Sequence, residues 1–211
     1  MIFNDRIDAG NKLAQHLISY KNNPAVVVVA LPRGGVIVAK EIASLLNAPL
    51  DIVVTRKIGL PFMPELAVGA VSQDGSYFLD KQIMKQLAVR KDELLDTIDL
   101  ERKEINRRLK TYKKDMPALD VKDKIVILVD DGIATGSTVL AAIQTIKHMK
   151  PKKIILAVPV LPQAAVGLMQ AQVDQLVYLQ APEYFVGISQ FYHEFPQITD
   201  QEVIEALVSS R

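Results

Sequence analysis

Three stretches of this chain are apolar at every position: Ala25 to Leu31 (AVVVVAL), Ile125 to Val129 within KIVILV (124–129), and Ile154 to Val160 within KIILAVPV (153–160). A strand with one wet face alternates between apolar and polar residues. A strand covered on both faces does not, and that pattern belongs to a parallel sheet lying between layers of helices. The first run is followed by helical spacing at Val36, Ala39, Ile42, Ala43 and Leu46, and the second by Val139, Leu140, Ala142, Ile143 and Ile146. Leu50 to Thr55 then reads as a strand that closes one strand–helix–strand unit over 25–55, and 153–160 closes another. The alternation predicts an α/β fold built on a doubly wound, mostly parallel sheet. A length of 211 residues suits one domain.

The remaining segments fit around that frame. Asp5 to Tyr20 has helical spacing, with Ile7, Leu13, Leu17 and Ile18 able to share a face, and Asn22-Asn23-Pro24 stops it. Residues 56–67 (RKIGLPFMPELA) read as a long loop, and 68–79 as a hairpin turning at Asp74-Gly75. The charged stretch 81–116, without glycine or proline, predicts one inserted helix of about 50 Å. Its apolar residues recur every eleven positions, as Ile83, Leu94 and Ile105 and as Leu87, Ile98 and Leu109. Such a stripe packs on the core or forms a dimerisation or docking face, and both readings stay open. Residues 163–171 read as a short helix and Leu176 to Leu179 as a strand. Thr199 and Glu202 have capping-box spacing for a last helix through Val208.

Composition excludes several function classes. Twenty-five lysines and arginines against 24 acids leave a net charge of +1, so nucleic-acid binding through bulk charge is not expected. The absence of cysteine removes disulfides, thiolate metal sites and thiol nucleophiles. No apolar run approaches the ~20 residues that span a bilayer, and MIFNDRIDAG does not read as a signal peptide. The expectation is a soluble cytoplasmic protein with no membrane partner. His16, His148 and His193 are scattered and build no metal cage.

The chemistry concentrates in KIVILVDDGIATGSTVLAAI, residues 124–143. A buried strand runs into Asp130 and Asp131, where ligands of open parallel sheets sit. Ala134, Thr135, Gly136, Ser137 and Thr138 then lead into a helix N-terminus, whose outward N–H groups and partial positive charge favour phosphate. Gly136 permits close backbone approach, and the three hydroxyls can donate to phosphate oxygens. The two carboxylates can accept from a sugar diol. Taken singly, these are an ordinary turn and an ordinary N-cap; together they match a sugar phosphate. The Walker lysine and the GxGxxG fingerprint are both absent.

The stretch Val129-Asp130-Asp131-Gly132-Ile133-Ala134-Thr135-Gly136-Ser137-Thr138 resembles the ribose-phosphate signature of the type I phosphoribosyltransferases. The stretches FNDRIDAG, LPRGGVIVAKEIA, RKIGLPFMPELAVGAV and FVGISQFYHEF further resemble a subgroup of that family whose substrate is undefined. The resemblance implies transfer of a 5-phosphoribosyl group from phosphoribosyl pyrophosphate to a nitrogen acceptor, usually a nucleobase, with Mg²⁺ held mostly through substrate oxygens. It gives Asp130 and Asp131 the ribose hydroxyls, and Ala134 to Thr138 the 5′-phosphate. Pyrophosphate falls to Arg33, Gly34 and Gly35, where a strained or cis peptide is expected. Arg56 and Lys57 would lie on a mobile loop that stabilises the leaving group. Residues 181–198 would form a small hood, with Phe185, Phe191 and Tyr192 stacking on the base or forming an aromatic mini-core. Ala134 stands where 6-oxopurine enzymes carry an aspartate, which argues against that specificity. A homo-oligomer, a dimer, is expected. The alternative function is a donor-binding regulatory protein without significant turnover.

Overall fold

The computed structural model describes residues 1–60, 62–114 and 119–209. In chain order, α1 (Arg6–Gln15) precedes β1 (Val26–Ala30), α2 (Gly34–Leu46) and β2 (Leu50–Ile52). Three strands follow, β3 (Arg56–Leu60), β4 (Met63–Val71) and β5 (Tyr77–Leu79), and then α3 (Lys81–Gln86) and α4 (Leu95–Tyr112). The second half holds β6 (Ile125–Val129), α5 (Ser137–His148), β7 (Lys153–Val160), α6 (Gln163–Gln170), β8 (Gln175–Gln180) and α7 (Asp200–Val208).

The main sheet is parallel throughout, in the order β2-β1-β6-β7-β8. Val26 pairs with Ile125, and Ile125 with Lys153. The continuous apolar runs have the expected cause: successive side chains enter two different cores. Val26, Val28, Ala30, Ile127 and Val129 pack with α1, α2 and α7, while Val27, Val29, Val126 and Leu128 pack with α5 and Met169 of α6. The chain winds outward from β1 in one direction and from β6 in the other. The crevice between the ends of β1 and β6 is therefore a switch point, where such folds place ligands. Among the described residues no helix is long and apolar enough to cross a membrane.

Three expectations are corrected. Residues 56–67 are largely strand: β3, β4 and β5 form a separate antiparallel sheet, with Arg56 opposite Val71 and Gly69 opposite Leu79. The β4–β5 hairpin turns at Asp74-Gly75 as expected, Gly75 having φ of +79°. The Ser72 and Thr145 hydroxyls, 2.8 Å apart, tie this sheet to α5.

The stretch 81–116 is not one helix, and residues 115 and 116 lie outside the described ones. Asp80 caps α3 by accepting from Gln82 and Ile83 N–H groups. The chain then leaves the helix at Leu87, passes through a left-handed Ala88 and a 3₁₀ turn at Asp92–Leu94, and re-enters helix as α4. The break lets Val89 and Leu94 both reach the core. The 18 residues of α4 span roughly 27 Å. Its Ile98 and Ile105 are buried with Leu94, so this stripe packs inside the chain, whereas Leu87 is exposed.

In α1, Ile7 and the following Ile18 are about half exposed, at 49% and 47%, while Arg6, Ala9, Gly10, Leu13 and Ala14 form the buried face. An arginine takes the place expected of an isoleucine, because its partner lies inside.

Candidate active site

The switch point is built by two strand ends in register. Leu31 N–H donates to Val129 O at 2.9 Å, which holds the turn after β1 against the end of β6. The Pro32–Arg33 peptide is cis, as the resemblance implied, and α2 begins at Gly34. A Cβ on Gly34 would collide with the Asp131 carboxylate, and one on Gly35 would come within 2.8 Å of Asp130 Cα. The two glycines are thus needed for the turn to lie flat on the Asp130-Asp131 step.

The two acids have different surroundings. Asp131 is nearly buried, and its Oδ2 accepts from Arg6 Nε at 2.7 Å. Its backbone carbonyl accepts from the Tyr192 hydroxyl at 2.6 Å. Asp130 is half-buried, and its Oδ1 accepts from Asp131 N–H at 2.9 Å. Burial and the adjacent negative charge push the Asp130 carboxyl well above its ordinary value. Burial, then the Asp131 charge, likewise raises the Tyr192 hydroxyl, which stays a donor.

Beyond Asp131 the chain turns outward. Ala134, Thr135 and Thr138 are exposed and Ser137 is half-buried. Gly136 has φ of +81°, and a Cβ there would also strike Met169 Cε, so only glycine fits. It precedes α5 without supplying a side-chain cap, so the first N–H groups of that helix face outward beside three hydroxyls.

A cleft of about 210 Å³ opens beside this loop, lined by Leu31, Pro32, Thr55, Arg56, Lys57, Arg108 and Thr138 among others. It brings cations of β3 and α4 beside Thr138 at the start of α5. Arg56 Nε sits 2.6 Å from Glu101 Oε2 of α4. Arg108 pairs with Glu104 at 2.8 Å, and Arg107 and Arg108 together lower the Glu104 carboxyl to about 2. Thr55 Oγ1 is buried without a hydrogen-bond partner. Arg33 points to Asp200 at the start of α7, 3.7 Å away, where Tyr112 also donates at 2.7 Å.

The family model described as "Phosphoribosyl transferase domain" matches residues 2–196. The chain belongs to this family. A protein of Mycobacterium tuberculosis named "Putative phosphoribosyl transferase" is 39% identical over 214 residues, covering 98% of this chain and 46% of its own length. The chain thus spans about half of that curated relative. The crystal structure of TT1426 from Thermus thermophilus superposes with a TM-score of 0.89 at 35% identity, covering 99% of both chains. A 40-residue stretch, 18% of this chain and 22% of the other, is 62% identical to the "Bifunctional protein PyrR" of Clostridium acetobutylicum. Sheet order, flanking helices and the small antiparallel sheet are those of the type I phosphoribosyltransferase fold.

Within that fold the structure gathers Gly34, Gly35, Asp130, Asp131 and residues 134–138 at one crevice, with Arg56 and Lys57 at its side. It separates the hood residues. Phe185 and Phe191 stack on each other with centroids 5.5 Å apart and stay half-buried. The Tyr192 ring is buried between Phe3 and Phe195, so Tyr192 braces Asp131 rather than offering a face. Sequence reasoning missed Arg6, Arg108 and Thr55. For Arg6 a signal existed: it lies three, four and seven residues before Ala9, Gly10 and Leu13, on the stripe of α1 that must be buried.

Proposed function

We propose that this phosphoribosyltransferase moves the 5-phosphoribosyl group of phosphoribosyl pyrophosphate to a ring nitrogen of a nucleobase, with release of pyrophosphate. One juxtaposition carries the reading: a carboxylate pair, a glycine turn pressed flat on it, and an uncapped helix N-terminus opening one turn further on. A sugar bearing phosphates at both ends presents hydroxyls in the middle and anions at either side. Asp130 and Asp131 would accept from the hydroxyls, and the N–H groups at 135–138 would hold the 5′-phosphate. Arg33, Arg56 and Lys57 would meet the pyrophosphate. The bond from the anomeric carbon to the pyrophosphate oxygen breaks as the bond to nitrogen forms, through an oxocarbenium-like state, and the nitrogen's proton leaves to solvent. The stacked Phe185 and Phe191 supply an aromatic surface suited to a flat acceptor.

The residues present fit a magnesium ion held chiefly by the donor. The strand-end carboxylates are hard oxygen ligands. Magnesium keeps most of its water and needs few protein ligands. Asp130 and Asp131 would meet it through its water shell, and when bound it would offset charge on the departing pyrophosphate.

The test is pyrophosphate release from purified protein, phosphoribosyl pyrophosphate and Mg²⁺ against a panel of nucleobases. Release that depends on one base is expected. Failure to bind the donor at all would overturn the reading. Tight donor binding with no release for any base would favour the regulatory alternative.

A further inference from the structure

Asp131 is where segments far apart in the chain converge. From α1, Arg6 Nε occupies its Oδ2. The same guanidinium donates through a terminal nitrogen to Pro196 O at 2.8 Å, and its Cζ lies 3.7 Å above the Phe195 ring centroid. Tyr192 donates to the Asp131 carbonyl from the same C-terminal segment. The two ends of the chain are also zipped together: Phe3 N–H donates to Phe191 O, His193 N–H to Phe3 O, and Glu194 N–H to Asn4 O, each at 2.8 Å. Gly34 lies against the same oxygen that Arg6 holds, Oδ2.

A buried ion pair is a poor stabiliser compared with apolar residues of similar size, because both charges are desolvated. What the pair does well is orient. A carboxylate with one oxygen tied to a fixed guanidinium nitrogen cannot rotate freely, and it presents its other oxygen in one direction. Arg6 is itself fixed at two further points, Pro196 and Phe195, so that direction is referred to the hood as well as to α1.

We propose that Arg6 is a positioning residue for sugar recognition: it fixes Asp131 Oδ1 toward the ribose hydroxyls and locks the 192–196 segment to the same carboxylate. This rests on the phosphoribosyl reading above. Arg6 acts through Asp131 and does not touch the sugar.

The test uses the whole chain and two probes, ribose 5-phosphate and 2,3-dideoxyribose 5-phosphate, titrated calorimetrically beside a thermal melt. The probes share the phosphate and differ in the diol. The wild-type protein is expected to prefer ribose 5-phosphate by about tenfold or more, the worth of a hydrogen bond to a charged group. In Arg6→Gln that ratio falls to the value found for Asp131→Asn, the double variant falls no further, and Arg6→Lys recovers part of it. A folded Arg6→Gln protein that keeps the wild-type ratio overturns the proposal, as does a double variant whose losses multiply. A merely structural arginine would lower the melting temperature and weaken both probes alike, leaving the ratio unchanged. Should Arg6→Gln not fold, Arg6→Lys carries the comparison, and a full wild-type ratio there overturns the proposal. A wild-type protein that binds the two probes equally removes the phosphoribosyl reading and this inference with it.

Discussion

Asp131→Asn is the substitution whose cost follows most directly from the structure. It keeps the shape of the side chain and removes its charge. Arg6 would then remain with 7% of its side chain exposed and no carboxylate against it. Breaking a buried pair from one side costs about 3–5 kcal/mol, since the surviving charge stays desolvated. Asparagine can still accept one bond from Nε, so the low end applies, about 3 kcal/mol. For a domain of this size each kcal/mol moves the melting temperature by about 2–4 °C, which gives a fall of about 6–12 °C. Removing both charges with Arg6→Gln/Asp131→Asn should return much of that loss, because neither partner is then left charged. Thermal melts of the wild type, both single variants and the double variant measure the coupling. An Asp131→Asn protein that melts within about 1 °C of wild type, on the same scale, would show that the pair is not buried in solution and would refute the reasoning.

Three further outcomes are expected. Gly34→Ala pushes a methyl into the Asp131 carboxylate, so it should cost about 1–3 kcal/mol in a melt and weaken donor binding; a neutral melt would place the turn further from the strand end. Thr55→Val removes a buried hydroxyl that has no partner and should raise stability by about 1 kcal/mol; a lower melting temperature would mean that the hydroxyl is satisfied in solution. Asp130 holds its proton to higher pH folded than unfolded, so its contribution to stability is complete below its ordinary value of 3.8 and fades as pH rises through the raised value. Asp130→Asn removes that titration, and its melting temperature relative to wild type should therefore rise as the pH is raised above 3.8; a constant or falling difference would contradict the direction of the shift.

How much could be read from the chain alone depended on how each segment is solvated. The main sheet was legible because β1, β6 and β7 are covered on both faces, which leaves an uninterrupted apolar signal at every residue. β3 gave no such signal. Its sequence, Arg56-Lys57-Ile58-Gly59-Leu60, keeps its first two residues partly in solvent and lies in a small sheet with an irregular register. The break before α4 was hidden for another reason: Ala88 adopts a left-handed conformation that its side chain does not advertise, and the reward is the burial of Val89 and Leu94, which only tertiary packing reveals. The strand-end loop was legible because its glycine, hydroxyls and acids are contiguous. Arg6 was marked only by its place on the buried stripe of α1, a weak signal because a cation in the first turn of a helix ordinarily points to water.

The cations around the cleft are held in a way that suits exchange. Arg56 rests on Glu101 of α4 and Arg33 on Asp200 of α7, and the two arginine side chains are each 35% exposed. The Arg33–Asp200 pair is open on both sides and contributes about 0–1 kcal/mol, so surrendering it to a phosphate would cost little. Without the carboxylates, the cations lining one small cleft would repel one another and their side chains would lack a fixed direction. With them, α4 holds Arg56 at the cleft beside Thr138, and α7 holds Arg33 at the start of α2. Arg6 stands apart from this group: its pair is buried, expensive to break from one side, and attached to Phe195 and Pro196. On the phosphoribosyl reading, the site divides its basic residues by burial, with exchangeable ones facing the leaving group and a permanent one behind the sugar.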